Sequence, residues 1–147
     1  MSNENPSYMR QTCLAALVTL LGCEGGGARV QLTTKEILTV FSNVNDSALI
    51  QDAAGTTAQN IWFADGRFEN RWSNAKQSGI VLGTWSAEND KRCVSIVSGL
   101  PDLIGKKKCG PIYRQGTHYV SINADGSVHA FHTLTPLSVS LDGAPSS

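Results

Sequence analysis

The chain has 147 residues with 12 basic and 12 acidic side chains, so its formal net charge is zero. A neutral domain lacks the broad cationic face that nucleic-acid binding uses, and no nucleic-acid partner is expected. No Gly-x-Ser-x-Gly elbow, phosphate loop or His-Glu-x-x-His pair occurs, so the motifs supply no enzymatic signature and none of the usual cofactor fingerprints.

The N-terminus reads as an export signal. A lone basic residue, Arg10, precedes the apolar run Cys13 to Leu21. That run has the length of a signal-peptide core and is too short to span a bilayer, which takes roughly 20 apolar residues. Glu4 offsets Arg10, and a start at Met9 instead of Met1 gives a cleaner basic end. Leu20-Leu21-Gly22-Cys23 resembles the lipobox of bacterial lipoproteins. The resemblance implies removal of residues 1–22 and a lipid-bearing Cys23, followed by a flexible tether over 23–31. Several acyl chains anchor stably where one does not. The expected location is periplasm-facing, on a bacterial membrane; plain secretion after Gly26-Gly27-Ala28 is the alternative.

Without the leader about 125 residues remain, enough for one domain with one core. Cys93 and Cys109 are then the unassigned cysteines, an even pair in an oxidising compartment, and a disulfide is expected between them. It closes a loop of about 15 residues, worth roughly 3 kcal/mol in the loop-entropy model. Zinc needs four ligands at characteristic spacing, which this chain does not offer, so no metal is expected.

The domain, 32–134, opens with a helix over about 33–42, capped by Thr33 or Thr34 with Glu36 completing a capping box. Ile37, Leu38 and Phe41 give it near-helical apolar spacing. Short strands follow at 47–51, 58–64, 67–72, 79–87, 91–98, 108–115, 117–123 and 127–133. Asp65-Gly66, Asn89-Asp90, Gln115-Gly116 and Asp125-Gly126 are hairpin signals. Strands joined so tightly are antiparallel neighbours, and the pattern predicts a mainly β, antiparallel meander forming a small barrel of about eight strands. Phe68, Asn70 and Trp72 share one strand face and Arg67, Glu69 and Arg71 the other. Lys106 to Lys108 suit a solvated loop or a lysine-guarded edge strand. The tail, 135–147, contains Pro136, Gly143 and Pro145 and is expected to fray.

The run Thr33 to Ile37, then Trp62 to Arg67, Ser78-Gly79 leading to Gly83-Thr84-Trp85, Cys93, Cys109 to Arg114, Gly116 to Tyr119 and Ala124 to Gly126 resembles small secreted domains of proteobacteria. These have uncharacterised functions, and the resemblance implies a lipocalin-like β-barrel with a leading helix. It carries no catalytic residue to transfer. Ser98 to Lys107 departs from it as a longer loop.

The histidines are His118, His129 and His132. His129 and His132, three apart, fall on opposite faces of a regular strand, and a shared site requires a bulge. Trp62, Trp72 and Trp85 occupy three consecutive strands; such aromatics fill a core or line a cavity for a small apolar ligand. Leu100, Leu103 and Ile104 punctuate a turn-rich loop, a candidate surface for an envelope protein or a lid. The expectation is a non-catalytic binding module, taking a small apolar ligand or a protein partner; the alternative is a periplasmic inhibitor of a lysozyme or protease acting through the 98–107 loop. Cys23→Ser is expected to release the protein from membranes or leave it as an uncleaved precursor; a wild-type intact mass without acyl chains on Cys23 overturns the lipid assignment.

Overall fold

The computed structural model describes residues 27–138. Cys23, the leader expected over 1–22 and the chain beyond 138 lie outside the described residues. Ten strands form one antiparallel sheet curled into a half-barrel, with one short helix. In chain order they are β1 (Val30–Gln31), helix α1 (Thr34–Phe41), β2 (Val44–Ile50), β3 (Thr57–Trp62), β4 (Arg67–Ser73), β5 (Ser78–Glu88) and β6 (Lys91–Ser98). A single 3-10 turn, Pro101–Leu103, leads to β7 (Lys107–Gly110), β8 (Ile112–Gln115), β9 (His118–Ile122) and β10 (Val128–Pro136).

The spatial order is β1-β8-β9-β10-β2-β3-β4-β5-β6-β7. The meander therefore holds from β2 to β7 and from β8 to β10, but not between the two runs. Pro111 is the reason. It has no amide hydrogen to donate to a ladder, so the segment expected as one strand over 108–115 splits there. Its first half pairs with β6 and its second with β9. β10 returns to β2 with seven paired residues, Ala130↔Ile50 to Pro136↔Val44. The strand thus runs into the expected frayed tail, and Val30–Gln31, expected within the tether, pairs with Arg114 and Tyr113 of β8. β7 is a sheet edge and carries Lys107 and Lys108, as a guarded edge does.

The hairpin turns use the residues the sequence offers. Asn89 and Asp90 have φ of 50° and 57°, the mirror-image turn that matches strand twist. That turn also serves the helix. The Asp90 carboxylate accepts from the Thr34 amide at 2.7 Å and from its hydroxyl at 3.1 Å. Thr33 and Glu36 form the expected capping box, so two caps from distant parts of the chain meet the exposed amides of one helix end. Asn43, at φ 56°, turns the chain out of α1 into β2.

Helix α1 presents fully buried Ile37 and Phe41 to the concave side, where they join Leu32, Trp62, Phe68, Val81, Trp85 and Ile112. Phe41 meets Trp62 edge-on at 5.9 Å, and Trp62 stacks on Phe68 at 4.4 Å. The alternation on β4 is as expected: Phe68 faces in, while Arg67 and Arg71 lie outside in ion pairs with Asp65 and Glu69. On β5 Val81 and Trp85 are buried; Ile80 and Leu82 face outward and stay half exposed, uncovered by the helix. Gly83, on the same inward face, has no room for a side chain, because a Cβ there collides with the Ser95 carbonyl oxygen. The β5–β6 register shifts between Leu82 and Gly83, so this glycine lets the two backbones approach at a bulge. Cys93 faces Cys109 across β6 and β7, and the expected disulfide is formed.

A buried polar belt and a cationic cavity

The inward face is not uniformly apolar. Asp46 on β2 is fully buried, and Asn60, Ser121 and His132 are nearly so. Each stands inward because side chains alternate across a strand. Asp46 lies opposite Asn60, and Asn60 opposite Asn70. His132 is diagonal to Asp46 across β10–β2, and Ser121 is diagonal to His132 across β9–β10. These are the spacings at which cross-strand side chains touch.

The groups form one continuous chain of hydrogen bonds across five neighbouring strands. Asn70 Nδ2 donates to Asn60 Oδ1 at 2.6 Å, and Asn60 Nδ2 donates to Asp46 Oδ2 at 3.0 Å. Trp62 Nε1 donates to the same oxygen at 2.9 Å. His132 Nδ1 lies 2.9 and 3.0 Å from the two carboxylate oxygens, and its Nε2 lies 2.9 Å from Ser121 Oγ. An ionised Asp46 only accepts, so Nδ1 carries the imidazole proton and Nε2 accepts from the serine hydroxyl. Donors on both sides therefore point towards one carboxylate.

Electrostatics follow from burial and these partners. Burial by itself raises the Asp46 carboxyl, but the His132 ring, the Arg92 charge and the Trp62 indole outweigh it and hold the group below its ordinary value. His132 is pushed below the usual imidazole value by burial and by Arg92, against the pull of Asp46. It is neutral at pH 7. Arg92, on β6, rests its guanidinium 4.2 Å from the Trp62 ring centroid and 4.7 Å from that of Phe41. Its Nη1 is buried with no hydrogen-bond partner among the described residues. Burial pulls its pKa down to about 10, opposed by Asp46, so it stays charged at neutral pH.

Asn60, Asn70, Arg92, Ser121 and His132 line a cavity of about 620 Å3 inside the half-barrel. Small residues leave the space: Ala48 and Ala58 on its floor are almost completely buried and fill little of it. Val81, Val94, Ile96, Leu100 and Ile112 make the apolar wall.

The residues singled out in the sequence divide around this cavity. Trp62 lines it, and Trp72 instead packs against Ala48, Ala58 and Ala130, its indole ring against Gly79. Leu100 turns inward onto the cavity and the core; Leu103 is half-buried, and Ile104 is 51% exposed. The 98–107 loop thus presents one strongly exposed apolar side chain, not three. The register of β10 shifts between Val128 and Ala130, the bulge that a shared histidine site requires, and both His129 and His132 line the cavity. His118 is outside, 3.2 Å from Thr133. Glu88, Cys93 and Cys109 cluster closely enough for a metal, but the disulfide removes the thiolates. Asp46, Asn60, Ser121 and Arg92 were not singled out from the sequence. The one available signal was a set of polar residues in phase with apolar ones on strands.

His132, in the order Ser121–His132–Asp46, has the arrangement of a nucleophile, a base and an orienting carboxylate. Acyl transfer also needs donors aimed at the developing oxyanion. Ser121 sits mid-strand, paired with Ile112 on one side and Ala130 on the other, so the surrounding backbone is committed to the sheet.

The belt predicts a pH dependence. A folded-state imidazole lowered from 6.5 resists the proton that the unfolded chain accepts, so stability falls as pH drops below about 6.5. Asp46, lowered as well, adds a loss of the same sign at more acid pH. His129, lowered by burial and by neighbouring His132, Arg92 and Lys108, contributes in the same window. The wild-type Tm should fall between about pH 7 and 5, and His132→Gln should cost about 1–3 kcal/mol at neutral pH while reducing that slope. A wild-type Tm that is flat over this range overturns the account.

No family model, curated protein or solved structure matches this chain.

Proposed function

We propose that this is a lipid-anchored, periplasm-facing binding module that holds a small molecule in the half-barrel. The observation that carries the reading is the cavity of about 620 Å3, apolar on one wall and hydrogen-bonding across its floor. Its size lies within the range of small-molecule sites, roughly 300–1,000 Å3, and convergent polar groups on an apolar background are what such sites use for orientation. The mixed lining suits an amphipathic ligand better than a wholly apolar one. The Cys93–Cys109 bond agrees with an oxidising compartment, and the lipobox motivates the anchor at Cys23.

The test is titration with the neutral, environment-sensitive dye N-phenyl-1-naphthylamine. One dye per domain should bind. Ala58→Leu, which fills the cavity floor, should weaken binding at least about ten-fold by occupying the ligand's volume, with the melting transition retained. A folded wild-type protein that takes up no dye refutes the reading.

A second reading, hydrolysis of an ester held in the same cavity, has the Ser121–His132–Asp46 order in its favour. A fluorophosphonate should then label Ser121, with labelling lost in His132→Gln. Unlabelled wild-type protein sets this reading aside.

A further inference from the structure

We infer that the cavity selects a ligand with a carboxylate at one end of an apolar body, the carboxylate resting on the Arg92 guanidinium. The inference builds on the binding reading above and specifies the chemistry of its ligand.

Three observations lead to it. First, Arg92 is a cation held inside the fold with a donor left over. Its Nη1 is enclosed and unpartnered, the side chain as a whole is only part-buried and lines the cavity, and no carboxylate lies within ion-pair distance of it among the described residues. A buried charged donor without an acceptor is costly, and such groups are normally paired. Second, the nearest carboxylate is already committed. Asp46 accepts from His132, Trp62 and Asn60, so its oxygens serve the belt. Third, the cavity wall carries two cations, Arg92 and Lys108, and neither an aspartate nor a glutamate. A cleft lined by one sign of charge attracts the opposite sign.

The geometry favours a carboxylate over a diffuse anion. The Trp62 and Phe41 rings hold the guanidinium in place, so little side-chain entropy is lost when it binds. A planar guanidinium edge matches a planar carboxylate and forms charge-assisted hydrogen bonds with it. Asn70, at the end of the belt, also lines the cavity and offers a further polar contact there. The body of the ligand then lies along Val81, Val94 and Ile96, with Leu100 over it from the loop after β6. The 98–107 segment acts here as a rim of the cavity through Leu100.

The experiment compares decanoate with decanol, two probes of equal chain length that differ in the head group. Both should displace N-phenyl-1-naphthylamine from the full domain, decanoate at least about ten-fold more tightly, the factor expected for one hydrogen bond to a charged group. Arg92→Met should erase the difference by weakening decanoate and leaving decanol nearly unchanged, and Arg92→Lys should restore part of it. Carboxyl-labelled decanoate read by carbon NMR on the wild-type protein supplies a measurement that needs no variant. Its bound carboxyl should titrate below its free midpoint, because the guanidinium favours the ionised form. Equal affinities with an unshifted or raised titration overturn the carboxylate assignment and leave the cavity reading intact. Failure of both probes and the dye overturns the cavity reading itself.

Discussion

A single buried carboxylate organises the interior of this protein. Asp46 sits at the centre of the curled sheet, out of reach of water, and an ionised group there needs partners to exist at all. It takes them from three directions: the Trp62 indole and the Asn60 amide on β3, and the His132 imidazole on β10. β10 comes from the run β8–β10 and β3 from the run β2–β7. The carboxylate therefore ties together the two halves that Pro111 separates in the chain. It also sets the tautomer of His132, and through it the orientation of Ser121. Removing one partner leaves a buried charge exposed to an apolar core, which is why such networks bind their neighbours into one arrangement.

The same interior explains why the half-barrel is hollow. Large side chains gather at the helix end, where Phe41, Trp62, Phe68 and Trp85 pack in edge-on and stacked pairs. Ala48, Ala58 and Ala130, on β2, β3 and β10, form a separate buried cluster of small side chains. Protein interiors are normally filled to crystal-like density, so an open region lined by hydrogen-bonding groups and a charged guanidinium is a feature that packing alone does not produce. Arg92 joins the two regions. Its flat group lies against the Phe41 and Trp62 rings, and the residue also lines the cavity.

Secondary elements hold this arrangement from outside. The Asp90 turn caps α1 and fixes the helix that covers one end. The Cys93–Cys109 bond fastens edge strand β7 to β6, immediately beside Arg92. Gly83 allows β5 and β6 to close up at the bulge. Each acts on the β5–β7 side, the wall that carries Arg92, Val94 and Lys108. The positions that matter to the cavity are thus supported by rigid neighbours, which is what precise ligand placement requires.

The sequence by itself determined the local structure. Turn pairs such as Asn89-Asp90 and Asp65-Gly66 restrict φ by their own chemistry, and the Thr33–Glu36 box is a contact across one helical turn. The β4 alternation and the pairing of Cys93 with Cys109 are equally local or combinatorial signals. Period-two patterning places Val81 and Trp85 on the face of β5 opposite Ile80 and Leu82, but both faces are apolar, and only the fold decides that Val81 and Trp85 turn inward. The tertiary structure decided everything that depends on which strands become neighbours. Pro111 divides one apparent strand between opposite sides of the sheet, and Val30–Gln31 becomes a strand only because β8 offers an unpaired edge. Asp46 and His132 are 86 residues apart, and no pattern in the intervening chain records their meeting. His129 reaches the cavity through a bulge that regular alternation forbids. A polar residue on a strand looks the same in sequence whether it faces water or a buried partner, because the partner is supplied by register, and register between distant strands exists only in the folded sheet.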